Sequence, residues 1–417
     1  MGRLTEHRKH NAPAERARVC PRHRENTMNI LILLGGGRGN WPNFWSALAY
    51  RPEHVYYLPC EGDAANVQFT QEFLTGKGQS HTILPPVPAY DPNPTLRACS
   101  DIIRGASDKT VLINMTQSPK LVAFGGAAAQ QNRANVSVFF RDTARGRSFF
   151  VFGPEIAPVD YSATVDDYLA AYGRTGWQKF SARDYPCPEE DLGKLAQNIA
   201  FQIDDYREMM SQLRAQPLGG EMHIGGAQSW RASWPALLNR MGTFGLLTDI
   251  AVRANTASFR CANTKVWEFI NGVWLELYVR NRARDLKLAD GSGRPAFSDC
   301  KMSLMIPNHI VENGNRRIEN EIDLACLNAA GVLLYASCKT ATREELRDLD
   351  EIVDRAKLLG GDYCGKMMIT SISGANLTPN YLAQAKARHI EVVCAEQLRD
   401  LPKHFQNATV TLAEQAR

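Results

Sequence analysis

The chain has 417 residues, 44% of them hydrophobic and 22% charged, and a formal net charge of only +4. That length allows two or three domains with cores of their own, the composition is that of a soluble globular protein, and the small charge means that any nucleic-acid contact uses local basic patches, not a global field. No apolar run reaches the length of a membrane span, and the ten cysteines contain no CxxC pair, which speaks against a zinc site or a disulfide framework and for reduced thiols in a cytoplasmic protein.

Residues 1–27 are polar and basic, with Arg3, Arg8, Lys9, Arg16, Arg18, Arg22 and Arg24, and lack the apolar stretch of a signal peptide. A disordered tail is expected there, with Met28 a candidate natural start. Residues 29–34 are a continuous apolar strand of the kind found in buried parallel sheets. Gly35-Gly36-Gly37-Arg38-Gly39-Asn40-Trp41 follows at once, and residues 42–49 read as a helix. A strand, a glycine turn and a helix start hold phosphate on backbone N–H groups. The spacing is not GxGxxG and no acidic residue closes a second strand, so a dinucleotide cofactor is not indicated.

Strands at 55–58, 82–84 and 110–113 alternate with helices at 66–74, 95–104 and 121–131, which predicts a doubly wound α/β domain. The strand at 110–113 ends in Asn114-Met115-Thr116-Gln117-Ser118-Pro119-Lys120. Free amides, hydroxyls and a lysine at a helix start suit a phosphate ligand; ordinary capping by Ser118, with Pro119 at the first helical position, explains the same residues. Residues 136–140 and 148–152 predict a hairpin with Arg141, Arg145 and Arg147 at its turn. A helix is expected at 164–172 and one long connecting helix at 192–216. Residues 217–262, with a helix at 234–241 and a strand at 257–261, suggest a small winged-helix-like linker carrying Arg231, Arg240, Arg253 and Arg260.

Residues 265–284 have the i, i+3, i+4, i+7 apolar pattern of one amphipathic helix through Val266, Phe269, Ile270, Val273, Leu277 and Arg280. At roughly 100° per residue, Glu276 falls about 80° from the centre of that stripe and Glu268 nearly opposite it. Residues 324–327 and 332–335 are apolar strands joined by Asn328-Ala329-Ala330-Gly331, turn chemistry that predicts a hairpin. Alternation puts Glu319, Glu321 and Asp323 on one face of the first strand, and Ser337 and Lys339 on one face of the second. The hairpin is expected to bring Asp323 near Lys339. Carboxylates bind a hard divalent cation, the cation polarises a phosphate and activates water, and a lysine orients that water or neutralises developing charge. Helices at 343–359 and strands at 366–370 and 390–393 complete a mixed sheet.

Helix carboxylate, strand Asp and strand Lys follow the order of the PD-(D/E)XK nucleases. The wording Gly272-Val273-Trp274-Leu275-Glu276, Asn320-Glu321-Ile322-Asp323 and Ser337-Cys338-Lys339-Thr340 resembles the nuclease domain of the CRISPR ancillary effectors called Card or Can nucleases, which join a CARF sensor to a PD-(D/E)XK domain; the resemblance spans residues 263–395. Asn114, Thr116 and Lys120 match the N-x-T-G-G-T-K segment of CARF domains, and the Gly35 to Trp41 loop matches the other ligand-facing loop. Two departures stand out: Gln117-Ser118-Pro119 replaces the glycines, and Ser337 stands where the family usually has Glu. The resemblance implies an α/β protein with a Rossmann-like CARF domain at 28–185, a linker at 186–262 and a nuclease domain at 263–417. It implies Glu276, Asp323 and Lys339 as catalytic residues, and Mg²⁺ or Mn²⁺ held by Glu276, Asp323 and the backbone carbonyl of Cys338. It also implies cyclic tetra-adenylate as activator on Gly35, Gly36, Gly37, Arg38, Asn40, Trp41, Asn114, Met115, Thr116, Gln117, Ser118 and Lys120. The expected protein is a homodimer that cuts DNA, RNA or both in type III CRISPR defence. A nuclease-dead regulator, a ring nuclease that degrades the cyclic nucleotide, and a restriction-type enzyme without a nucleotide signal are the alternatives.

Overall fold

The structure is a computed structural model that describes residues 30–37, 40–143, 145–159, 161, 163–216, 220–288, 291–307, 319–341, 343–360 and 364–415. The expected tail, the candidate start Met28, and Arg38 and Gly39 of the glycine loop lie outside the described residues.

The chain begins as a doubly wound sheet: β1 (Ile30–Leu34), α1 (Trp41–Tyr50), β2 (His54–Leu58), α2 (Ala64–Gly76), β3 (His81–Ile83), α3 (Pro92–Gly105), β4 (Val111–Asn114), α4 (Lys120–Ala128), β5 (Val136–Asp142) and β6 (Arg147–Phe152). The strand order is β3-β2-β1-β4-β5-β6, parallel except for the β5–β6 hairpin. Alternation explains why β1 is apolar throughout. Leu31 and Leu33 pack with Phe44 and Trp45 of α1, whereas Ile30, Ile32 and Leu34 pack with Cys99 and Ile103 of α3 and Val122 of α4. Truncating one such buried side chain to Ala costs about 2–5 kcal/mol.

Next come α5 (Val165–Ala170), β7 (Trp177–Gln178), α6 (Glu189–Phe201) and α7 (Ile203–Arg214). The single long helix expected at 192–216 is two helices. Gln202 leaves helical geometry at φ −125°, ψ 28°, and the chain turns there. β8 (Met222–Gly225), α8 (Trp234–Thr243), β9 (Leu247–Arg253) and β10 (Thr256–Cys261) form a winged-helix-like unit around an antiparallel sheet ordered β8-β10-β9.

The last part runs α9 (Thr264–Glu268), a π turn over Phe269–Val273, α10 (Trp274–Asp285), β11 (Phe297–Pro307), β12 (Glu319–Asn328), β13 (Leu333–Lys339), α11 (Leu346–Gly360), β14 (Gly365–Thr370), α12 (Pro379–Ala387), β15 (Glu391–Val393) and α13 (Leu401–Gln415). Its sheet, β15-β14-β13-β12-β11-β7, is antiparallel from β13 to β7 and parallel from β13 to β15. β7, from before residue 186, supplies the edge strand. One face of this sheet packs on α6 to α10. The other shares a continuous core with α1 and β1 of the first sheet, through Leu304, Ile306, Ile322, Ala325 and Tyr335.

Candidate active site and ligand cleft

The helix expected over 265–284 is interrupted by the π turn, where Gly272 takes φ 175°. A π turn holds more residues than an α turn and is frequent at functional sites, so the 100° projection does not carry across it. Glu276 is consequently turned further into the protein than the rim position that projection gives. Its Oε2 accepts from Ser303 Oγ at 2.6 Å. Burial, and then the negative charge of Asp323, push its carboxyl well above the usual range.

Asp323 sits on β12 opposite the end of β13. Its Oδ2 accepts from Ser337 Oγ at 3.0 Å and from the Cys338 backbone N–H at 2.7 Å. Burial raises its pKa, while the Cys338 N–H, Arg355, Ser337 and Lys339 oppose that rise. A buried carboxyl whose proton affinity is raised by a second carboxylate beside it is one whose charge is favoured by a cation. Hard oxygen donors suit Mg²⁺ or Mn²⁺, so the residues present fit such an ion. Among the described residues no group of three or more His, Cys, Asp or Glu is arranged to hold a metal.

Lys339 lies near enough to Asp323 to act on its charge, but its ion pairs are elsewhere. Its Nζ is bonded to Asp348 Oδ1 at 3.0 Å and Glu351 Oε2 at 3.6 Å, both on α11, and not to Asp323. Tyr335, Ser337 and Lys339 alternate onto one face, where Tyr335 packs with α11. The sequence reading missed α11's part, although Asp348, Glu351 and Arg355 recur at i, i+3 and i+7. Ser303 gave no signal at all: it anchors Glu276 because β11 twists there, at φ 46°. Glu321 pairs with Lys179 Nζ at 3.4 Å, while Glu268 pairs with Lys265 at 2.8 Å, away from the acids. A cavity of 660 Å³ opens beside Lys339, lined also by Arg214, Asn271, Gly272, Cys338 and Arg343. A larger cavity of 860 Å³ lies on the β8-β10-β9 sheet and meets the first at Ala215.

The two expected ligand loops meet at the carboxyl ends of adjacent strands β1 and β4. A Cβ on Gly37 would come within 2.7 Å of the Gln117 carbonyl, and one on Gly36, at φ 104°, within 2.9 Å of Pro119; only glycine allows this approach. Asp63 and Asn66, absent from the sequence reading, brace the loop: Gly36 N–H donates to Asp63 Oδ2 at 3.0 Å and Asn66 Nδ2 to the Gly37 carbonyl at 3.2 Å. Ser118 is not a cap; its hydroxyl donates to the Met115 carbonyl at 2.8 Å, and no side chain caps α4. Met115, Thr116, Gln117 and Ser118 are half-buried and Lys120 is exposed. Asn40, Trp41 and Asn114 are buried. Asn114 Nδ2 donates to the Pro42 carbonyl, Asn43 Oδ1 and Ser46 Oγ, and its Oδ1 accepts from Thr116 N–H at 3.0 Å.

Paired acids and a lysine lie on the mixed sheet, which is joined to an α/β domain with two apposed loops. Residues 263–412 match the family model described as Card1-like, endonuclease domain, and that part of the chain is an endonuclease domain. No curated protein sequence matches the chain. The fold is shared with protein VC1899 from Vibrio cholerae, at 17% identity and a TM-score of 0.73, covering 93% of this chain and 99% of that one. It is shared also with Can2 from Sulfobacillus thermosulfidooxidans, solved in complex with cyclic tetra-adenylate, at 17% identity and 0.67, covering 92% and 98%. A type III CRISPR defence DNA nuclease activated by cyclic oligoadenylate aligns at 16% identity and 0.52, over 83% of this chain and 46% of its own. The chain thus carries a Card1-like endonuclease domain within a fold that it shares with Can2. No helix of the described residues is long and apolar enough to cross a membrane.

Proposed function

We propose that the chain is a nuclease switched on by a cyclic oligoadenylate, cyclic tetra-adenylate in the first instance, and that it cuts DNA, RNA or both in type III CRISPR defence. The observation that carries this reading is the pair of buried acids, Glu276 held by Ser303 and Asp323 held by Ser337 and Cys338, inside a Card1-like endonuclease domain. The apposed loops at the ends of β1 and β4, with an uncapped helix start and Lys120 beside them, support an anionic activator. Two structural neighbours, one solved with cyclic tetra-adenylate and one described as activated by cyclic oligoadenylate, support this choice of anion.

Glu276, Asp323 and the Cys338 carbonyl would hold a divalent cation, which would supply Lewis acidity. The chain's own residues place the rest. Ser337 and the Cys338 N–H fix Asp323 through Oδ2. Ser303 fixes Glu276. Lys339, at the cavity mouth, exchanges Asp348 and Glu351 for the substrate phosphate or the attacking water. Arg214 and Arg343 in the same cavity face the flanking phosphates.

The test incubates labelled plasmid and single strands with Mn²⁺, with and without cyclic tetra-adenylate, with an EDTA control, and then recovers the ligand. Cutting that needs both cation and ligand is expected. Ligand loss without strand cutting makes the chain a ring nuclease; cutting without ligand makes it a restriction-type enzyme.

A further inference from the structure

Asp323 and Lys339 sit on the two strands of one hairpin, and the turn of that hairpin rests on the N-terminal domain. Trp41 Nε1 donates to the Gly331 carbonyl at 2.7 Å, and Arg141 Nη2 donates to the Ala330 carbonyl. Gly331 has φ 74°, and a Cβ there would come within 2.8 Å of the Trp45 ring, so only glycine lets the turn seat this closely. Arg141 is 2% exposed and lies over the Trp45 ring, 3.3 Å from its centre. Among the described residues no carboxylate pairs with it. A buried guanidinium held by a carbonyl, the Ser148 hydroxyl at 3.4 Å and an aromatic face, without a carboxylate, is costly, and it is placed where the two domains touch.

Both loops of the cleft lead to this turn. The glycine loop runs directly into α1, whose first residue is Trp41. The β4 loop reaches it through Thr116, whose Oγ1 accepts from the Arg141 backbone N–H at 2.8 Å. Asn114 ties the two routes together through Pro42, Asn43 and Ser46. Beyond the turn, the ladder from Leu327↔Leu333 to Leu324↔Ala336 runs straight to Asp323. Glu276 belongs to a different element, packed in the other core. A displacement of the turn therefore moves Asp323 relative to Glu276.

We propose that the Asn328–Gly331 turn transfers the state of the N-terminal cleft to the acid pair, with Arg141 as the positioning residue that grips it. The inference rests on the ligand-activated reading above and names the contact through which activation passes. In the full-length protein, Arg141→Met removes the grip, Arg141→Lys retains a buried cation, and Gly146→Ala pushes on Ala330 from the β5–β6 turn, where an added Cβ would collide with it. Three quantities are read: the cyclic tetra-adenylate Kd by calorimetry, single-turnover cleavage in Mn²⁺ at saturating ligand over a range of substrate, and the thermal midpoint. The expected result for Arg141→Met is a Kd close to wild type and a maximal stimulated rate lower by about 10-fold or more. Half-saturating substrate concentration stays unchanged, and Arg141→Lys recovers part of the rate. Full stimulation of Arg141→Met overturns the inference, as does a loss of rate accounted for by lost affinity. If Arg141→Met does not fold, Gly146→Ala is held to the same two outcomes. If the wild type cuts without ligand, the ligand-activated reading falls. The turn is then judged on the unstimulated rate: no change in Arg141→Met at an unaltered thermal midpoint overturns it, and a drop of the same size upholds it.

Discussion

At the scale of single residues, the acids and their donors separate by what each loses on truncation. Glu276 and Asp323 are the charges available to a cation, so Glu276→Ala and Asp323→Ala are each expected to lose at least ~100-fold in single-turnover cleavage, the size seen for a key electrostatic group. Ser337 donates one neutral hydrogen bond to Asp323, whose Oδ2 keeps the Cys338 N–H without it. Ser337→Ala is therefore expected to cost about 10-fold or less. A dead Ser337→Ala beside an active Glu276→Ala would transfer the metal site to Glu319 or Glu321. Stability should move the opposite way. Glu276's folded pKa is raised above its ordinary 4.5, so its contribution favours the fold below that value and is lost as pH climbs toward the raised one. At neutral pH the pair costs stability. In EDTA at about pH 7, Glu276→Gln is expected to unfold at a higher temperature than wild type, with the difference shrinking toward about pH 4. Mn²⁺ should raise the wild-type midpoint more than the variant's. Equal midpoints in EDTA at neutral pH would contradict this account.

At the scale of elements, β1, α1, β4 and the β12–β13 hairpin were legible because apolar runs and turn residues are local signals. Leu31 and Leu33, like Ile30 and Ile32, read as one buried strand without any knowledge of the partners on each face. What was not legible depended on partners far away in sequence. The break at Gln202 and the π turn at Phe269–Val273 leave the apolar pattern intact, so periodicity shows continuous helices. β11, which braces Glu276 through Ser303, and β7 at the sheet edge carry no pattern strong enough to stand alone. Lys339's partners lie on α11, after the hairpin that suggested Asp323 for that role. Asn114 and Trp41 show the same limit. Their types suit a ligand, and the structure uses both to join β4, α1 and the turn. Lys120, exposed at the start of α4, is the better probe of the cleft. Lys120→Ala is expected to weaken cyclic tetra-adenylate binding by about 10-fold, the loss of one charge-assisted contact. Asp323→Ala should bind within error of wild type, and calorimetry in which it too loses the ligand would contradict separate sites.

At the scale of the whole molecule, the symmetry of the proposed ligand predicts a further property. A cyclic tetra-adenylate presents the same face twice about a two-fold axis, and a C2 dimer presents one set of loops twice about its own axis. On the proposed reading, a single copy of the cleft would meet half of such a ligand. Next to Lys120 on α4, Leu121 is 41% and Phe124 65% exposed, an apolar pair beside the cleft that water would not favour. A second copy of the chain related by a two-fold axis through the cleft would cover it and double the lysines at once. The expected species in light scattering is a dimer, with one ligand bound per two chains in calorimetry. Phe124→Asp places a charge in that face and leaves Lys120, the glycine loop and the Glu276–Asp323 pair untouched. It is expected to run as a monomer, to bind the ligand at least ~10-fold more weakly because each chain supplies only half the contacts, and to lose stimulated cleavage. Two results would refute the arrangement: a wild-type monomer with ligand bound, or a monomeric Phe124→Asp that still binds and cuts like wild type.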